Sequence, residues 1–394
     1  MPAIDIVSNG HGEDVIGASL AGDLRTLWPA VTVRAFPLVD QGGAYRAHAI
    51  PTLGPCRALP SGGLTMHSPA SFVADVRAGF VGMTLRQLAD LARLRSDVLV
   101  VVGDIYAQAL AAFARARFRA VVQPLVSAYH GSGGGRPPPN RYFMERISYP
   151  ERVLMRHLAS VVYARDADTA AWLEAHGVRH ALALGNPMVD LAAGRPLEGV
   201  DPARTVALLP GTRAHTPAAL MRMAHALRRV PAVTGLVAWQ AGSLPQLPGW
   251  EAEAALPPLA GRVAALRHGA NRLWVMEGRF GDVLASARVA IGTAGTANEQ
   301  AAARGVPVVS FPVEPSHGRR FLENQKRLLA DALTITDDEP AAIAAAVGAL
   351  LGNPVMWEAA SRVGRRRMGA PGGSRAIASD LLQRVRRSVP GFGA

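Results

Sequence analysis

Cysteine is almost missing from this chain. Cys56 is the only one in 394 residues, so no disulfide can form within the chain, and a reducing cytoplasm is the expected setting. Lysine is equally scarce: Lys326 stands alone, and the formal charge of +12 is carried by arginine. The N-terminal residues lack a basic region followed by an apolar core and a cleavage site, so no secretory signal is expected. The longest apolar runs, such as Val98 to Val102 and Ala341 to Leu351, fall short of the roughly 20 residues that span a bilayer. No DxD-like element and no His/Cys cluster with ligand spacing is present, so chemistry without a bound metal or other cofactor is expected. The chain also lacks an RNA-recognition aromatic motif, zinc spacing and a helix-turn-helix, which argues against reading its basicity as nucleic-acid binding.

That basicity is local. Between Arg362 and Arg387 lie eight arginines and one acid, Asp380, which together supply more than half of the excess charge. Attraction to anionic lipid, at about 1 kcal/mol per basic residue near the surface, would give this run a purpose. The abundance of alanine and the single lysine also fit a coding bias toward arginine. With 49% hydrophobic residues and a mean hydropathy of +0.14, a chain of this length suits two α/β domains.

The richest segment runs from Val289 to Pro312. The apolar residues Val289, Ala290 and Ile291 meet a turn of Gly292, Thr293, Ala294, Gly295 and Thr296; a helix-forming stretch follows through Asn298, Glu299 and Gln300. Gly305 ends it, and Val306 to Phe311 resumes as a buried β-branched run. The order is β, glycine turn, α, β. Such a turn lets backbone approach a ligand closely, and the helix start favours an anion. Glu299, about one turn into the helix, can reach a sugar hydroxyl pair. A crossover without a ligand needs the same glycines, so the segment alone leaves both readings open.

The strand Thr205 to Leu209 ends in Pro210-Gly211-Thr212-Arg213, which places exposed amides and an arginine in the same half. Arginine pairs bidentately with phosphate oxygens, and two anion sites in one half suggest a diphosphate. Beyond Pro312, Asn324 or Gln325 could hydrogen-bond a sugar. In the first half, Ile4 to Val7 exits through Ser8-Asn9-Gly10-His11-Gly12-Glu13-Asp14 into a helix of about 15–27. A second strand (31–36), a Gly/Pro-rich loop (40–71), a helical stretch (71–94), a strand (98–102) ending in Gly103-Asp104, a helix (106–116) and a strand (120–124) follow. Gly131 to Pro139 reads as loop, and the aromatic and arginine residues beyond it suit a headgroup surface or a plain solvated helix. Val161 to Ala164 and Ala181 to Leu184 close this half.

Alternating strands and helices predict two doubly wound, Rossmann-like domains facing across a cleft, residues 1–190 and 191–371. A C-terminal helix at about 372–394 is expected to pack back on the first.

Leu208 to Arg213, Gly292 to Gln300, Gly305 to Pro312 and Glu323-Asn324-Gln325 together resemble glycosyltransferases of the GT-B fold, especially lipid-A-disaccharide synthase. Gly185 to Asp190 looks like that family's G-H-P-x-x-D segment, and Val101 to Asp104 like its aspartate-bearing strand end. The Gly-His element and the glutamate after the second glycine turn also resemble the N-acetylglucosaminyltransferase that makes lipid II. The first motif departs from the synthase's A-G-E-x-S-G-D, which points to a related branch with its own acceptor.

The resemblance implies a UDP-sugar donor in the second half, bound by Gly211, Thr212, Arg213, Gly292, Thr293, Gly295, Thr296, Glu299, Asn324 and Gln325. It implies a lipid or lipid-phosphate acceptor in the first half and inverting transfer of a hexose or N-acetylhexosamine at the cytoplasmic membrane face. Asp104 is the first candidate for the base and His11 the second; helix capping and a turn role are the plainer uses of each. The apolar stretch Gly62 to Arg95 matches the family's lipid-facing region in position, and core packing is its other use. A UDP-N-acetylglucosamine 2-epimerase of the same fold is one alternative, set back because its acid cluster is not evident, and a basic nucleic-acid binder is another. No signal for oligomeric state is present.

Overall fold

The computed structural model describes all residues except 1–2, 40, 58, 60–68, 125, 132–146, 213–214, 241, 254–258, 315–316 and 393–394, together with the side chains of 11, 69–71 and 131. The chain divides into two compact units. Unit 1 comprises Met1–Asp190 and Ala370–Ala394, and unit 2 is Leu191–Gly369.

Unit 1 carries a six-stranded parallel sheet of β1 (Ala3–Ser8), β2 (Thr32–Pro37), β3 (Arg95–Val102), β4 (Arg115–Gln123), β5 (Val161–Ala164) and β6 (Ala181–Leu182), in the order β2-β1-β3-β4-β5-β6. The central strands are β-branched and buried on both faces, as crossover helices require; Val98 to Val102 have no exposed surface. Helices α1 (His11–Leu27), α2 (Gly43–Ala47), α3 (Pro69–Arg77), α4 (Phe80–Arg93), α5 (Ile105–Ala111), α6 (Tyr149–Leu158), α7 (Ala167–Ala175) and α8 (Pro187–Asp190) connect them.

Three sequence readings are revised here. The stretch 40–71 is not wholly loop, because α2 forms within it and buries Tyr45, whose hydroxyl donates to Ser8 Oγ at 2.7 Å. The single helix expected over 71–94 is two, α3 and α4, separated at Gly79. Finally β4 starts at Arg115, five residues early, so α5 is short. Arg115, Arg117 and Arg119 alternate with Ala116 and Phe118, and that period of two wins over helix propensity.

Unit 2 carries an eight-stranded sheet in the order β14-β13-β12-β7-β8-β11-β10-β9, built from β7 (Thr205–Leu209), β8 (Thr234–Trp239), β9 (Glu251–Ala252), β10 (Arg262–His268), β11 (Asn271–Glu277), β12 (Val289–Gly292), β13 (Val308–Ser310) and β14 (Leu333–Ile335). Its helices are α9 (Thr216–Leu227), α10 (Phe280–Ser286), α11 (Gly295–Ala303), α12 (Arg319–Leu329), α13 (Pro340–Gly352) and α14 (Pro354–Met368). Most of the sheet is parallel, but β10 pairs antiparallel with both β11 and β9. This edge departs from the purely doubly wound expectation. The two-residue link Gly269-Ala270 makes a hairpin, which is open only to antiparallel neighbours.

The last helix, α15 (Gly373–Ser388), belongs to unit 1, where it packs along α1. Ile377, Leu381 and Val385 bury one face at the spacing of four that a helix face requires. Asp190 fastens its start, accepting hydrogen bonds from Gly372 N and from Ser374 N at 2.8 Å. Several tail arginines have local partners. Arg384 pairs with Asp380 at 2.6 Å, Arg386 lies 5.5 Å from the centre of the Trp28 ring, and Arg367 donates to the Arg327 carbonyl at 2.7 Å. Among the described residues, no single helix is long and apolar enough to cross a membrane.

Candidate functional site

In each unit the chemistry-bearing residues gather at the carboxyl ends of the parallel strands, where helix starts converge.

In unit 2, β7 and β12 lie side by side with Leu209 opposite Gly292. Their exits are tied together. Thr293 donates its N–H to the Leu209 carbonyl at 3.1 Å and its hydroxyl to the Pro210 carbonyl at 3.2 Å. Thr293 is fully buried, so both of its donors are spent inside the protein. Its role is therefore corrected from ligand contact to internal tie. Gly211, at φ 84, occupies the left-handed region and turns the chain away from β7 at a cost only glycine escapes. A side chain there would lie 3.5 Å from Ala294 and 3.9 Å from His215 Nε2, so the two turns are neighbours. Thr212 is exposed beside them, and Arg213 lies outside the described residues.

Helix α11 starts at Gly295 with no side-chain cap, and neither α9 nor α12 has one. An α-helix leaves its first N–H groups without intrahelical partners, and their dipoles add to a partial positive charge there. Thr296 is exposed on the first turn, and Glu299 is partly buried one turn further along. Behind the turn, Asn298 is fully buried; its Nδ2 donates to the Gly292 carbonyl at 3.3 Å and to Gln325 Oε1 at 3.0 Å. Gln325 Nε2 donates to the Gly295 carbonyl at 2.8 Å. Gln325 is thus a second correction, since its amide holds the turn from inside instead of facing a sugar. Asn324, its neighbour, is partly buried.

Two histidines that the sequence reading did not select stand beside the turns. The His215 and His317 rings are 5.0 Å apart, and Phe321 packs edge-on against His317 at 4.5 Å. Phe321 also comes within 3.2 Å of where a Gly295 side chain would begin.

In unit 1, Asp104 caps α5, accepting from Tyr106 N at 3.0 Å, and its Oδ1 also accepts from Asn9 Nδ2 at 3.1 Å. Burial raises its carboxyl pKa against the backbone donors that lower it. The helix-capping use and the candidate base are therefore the same side chain. His11 opens α1, but its side chain lies outside the described part. Asp14 is buried and accepts from Ser8 Oγ at 2.6 Å. Two further carboxyls lie within electrostatic reach of Asp104. Glu13 is pushed up to about 8, chiefly by burial and then by Asp104 and Asp14. Glu151 is also pushed up to about 8 by burial and by Asp104, although Gln123 Nε2 at 2.6 Å and Gln108 Nε2 at 3.0 Å donate to its Oε1.

This acid group corrects the earlier reading that none was evident. Its members are 13, 104 and 151 in sequence and meet only because β1, β3 and the start of α6 end on one side of the sheet. Among the described residues, no three such side chains are arranged to hold a metal ion.

Helix α4 is two-sided. Met83, Gln87 and Leu91 face the core, and Gln87 Nε2 donates to the Leu38 carbonyl at 2.7 Å. Val81 and Leu85 are exposed, with Leu85 at 62%, as are Phe72, Val73 and Val76 on α3. A cavity of about 410 Å³ between α4 and the Pro55–Arg57 strand of chain has Arg57 and Arg86 on its wall. The described part of the segment thus puts one face in the core and leaves the other exposed. Part of the aromatic and arginine stretch, 132–146, lies outside the described residues; beyond it, Arg152 sits between Tyr149 and Trp172, 5.7 and 5.2 Å from their ring centres.

No protein-family model and no curated protein matches the chain. Solved structures do match in fold. The calicheamicin glycosyltransferase CalG4 aligns over 99% of this chain and 99% of its own, with a TM-score of 0.61 and 14% identity. MurG of Acinetobacter baumannii aligns over 98% and 100%, with a TM-score of 0.57 and 15% identity. UDP-GlcNAc 2-epimerase from Neisseria meningitidis, solved with UDP-GlcNAc bound, aligns over 97% and 100%, with a TM-score of 0.54 and 12% identity. The chain therefore has the two-domain α/β fold, with parallel sheets, that GT-B glycosyltransferases and UDP-GlcNAc 2-epimerases share.

Proposed function

We propose that this protein is a UDP-sugar enzyme that transfers a hexose or N-acetylhexosamine, with inversion, to a hydroxyl of a lipid or lipid-phosphate acceptor at the cytoplasmic membrane face. The observation that carries the reading is the uncapped start of α11 beside the Gly211 turn. A diphosphate placed there gains the amides of 295–297, and the positive charge of Arg213 would add a bidentate contact. Glu299, one turn along, suits the ribose hydroxyls. In the reaction, the acceptor oxygen bonds to the anomeric carbon while the bond from that carbon to the phosphate oxygen breaks and UDP leaves. The acceptor proton passes to Asp104, whose raised pKa makes it a stronger base. His11 is the alternative base. The exposed apolar residues of α3 and α4, with Arg57 and Arg86 nearby, support a lipid-like acceptor and a peripheral membrane position.

The acid group of Glu13, Asp104 and Glu151 favours a second reading, a UDP-N-acetylglucosamine 2-epimerase. Carboxyls whose pKa values are raised by burial can take a proton from one face of a sugar carbon and return one to the other. Incubation with a panel of UDP-sugars, with and without membrane lipid extract, separates the two by mass spectrometry. Transfer predicts UDP release together with a hexose or N-acetylhexosamine adduct on lipid. Epimerisation predicts a changed sugar and deuterium uptake from D2O without an acceptor. Absence of UDP binding would remove both.

A further inference from the structure

Asn298 is an unusual choice for its place. It is the fourth residue of α11, fully buried, and its Oδ1 has no hydrogen-bond partner. An unpaired buried acceptor costs stability, and an apolar residue would fill the same volume without that cost. The side chain also forces its neighbour to be glycine, because a Cβ on Gly292 would lie 1.9 Å from Asn298 Oδ1. The bonds that its amide does make have one effect in common.

Asn298 and Ser310 hold the carbonyl before the turn: Ser310 Oγ donates to Gly292 O at 2.5 Å and Asn298 Nδ2 at 3.3 Å. Gln325, locked to Asn298 at 3.0 Å, holds the carbonyl after it, donating to Gly295 O at 2.8 Å. A peptide unit is planar and rigid, so fixing a carbonyl fixes the direction of the N–H on the following residue. The bond to Gly295 O therefore aims the N–H of Thr296, one of the groups without an intrahelical partner.

We propose that Asn298 and Gln325 form a pair of positioning residues that aims the first-turn amides of α11 at the diphosphate of the nucleotide, without either side chain touching it. The inference rests on the nucleotide-sugar reading and deepens it. Such a brace lets the amides meet an anion already oriented, which is how fixed dipoles gain over mobile ones.

The test compares UDP with uridine on the full chain by calorimetry, for wild type, Gln325→Met, Gln325→Glu and Asn298→Asp, each with its thermal midpoint. Gln325→Met keeps the volume and removes the donor without adding charge; Gln325→Glu keeps the shape and removes the donor once ionised. The expected result is a loss of UDP affinity of about tenfold with uridine affinity within about twofold of wild type. A role in folding alone would lower the midpoint and leave the ratio of the two affinities unchanged in the folded variants, and that result overturns the proposal while leaving the nucleotide reading intact. Wild-type protein that binds neither compound removes the nucleotide reading and this inference with it. If Asn298→Asp does not fold, the two Gln325 variants decide.

Discussion

Replacing Glu151 by glutamine should change how the stability of unit 1 depends on pH, in a direction and by an amount the structure sets. Glu151 is 1% exposed, and burial carries its pKa from 4.5 to about 8. A folded-state pKa above the unfolded value means that the native state holds the proton after the unfolded chain has lost it. The contribution is therefore fully present below about pH 4.5, falls as pH rises, and is lost once pH passes about 8. At about 1.4 kcal/mol per unit, the whole window corresponds to an upper bound of about 5 kcal/mol. Glutamine imitates the protonated acid: its Oε1 can still accept from Gln108 and Gln123, and nothing titrates. Wild type and Glu151→Gln should have similar stability at pH 4.5, and the variant should gain by up to about 1.4 kcal/mol per pH unit up to pH 8. Glu13 titrates in both proteins, so the difference between the two curves is the quantity to read. Hydrogen exchange of peptides from β3 and β4, followed by mass spectrometry between pH 5 and 8.5, reports unit 1 separately. Curves that run parallel across this range would refute the reasoning, because they would mean that Glu151 ionises in place without penalty.

Gly292→Ala drives a methyl group into the Asn298 amide, and at about 1–3 kcal/mol for overpacking it should lower the thermal midpoint of unit 2 by several degrees; a shift below 1 °C would show that Asn298 moves aside freely. Glu299→Ala should weaken UDP binding, measured by calorimetry; wild-type affinity would take Glu299 out of the ribose site. Asp104→Asn should spare UDP binding and lower turnover by about 10²–10⁴-fold; transfer at the normal rate would pass the role of base to another group. Arg386→Ala removes an exposed stacking contact with Trp28 and should cost about 0.5–1 kcal/mol in urea unfolding.

The fold was legible because buried parallel strands write themselves as short β-branched runs. Ile4 to Val7, Val98 to Val102 and Thr205 to Leu209 each run into a glycine turn. The hairpin of β10 and β11 was harder. Both faces of β10 are partly exposed and its ends are arginine and histidine, so neither alternation nor a continuous apolar run announces it. At the site, spacing along the chain located the turns but not the direction of each side chain. Thr293 and Gln325 have the right chemistry to meet a ligand, and only packing shows that their donors point inward. The acid group was hidden for the opposite reason: Glu13 reads as a first-turn acid that suits a helix start, and Glu151 follows a proline at the start of α6. Nothing local says that 13, 104 and 151 share one neighbourhood.

The return of α15 to unit 1 has a consequence for how the protein is made. Unit 1 is interrupted after Asp190 and resumes at Ala370, with the whole of unit 2 between. Unit 2 is continuous and can close around its own core as soon as it leaves the ribosome. The first 190 residues wait, with the side of α1 that packs against α15 still open to water. Domains usually fold in the order of their synthesis; here the domain begun first is completed last. During that interval unit 1, with all its strands made but the face for α15 uncovered, is the form of the protein that most needs a chaperone.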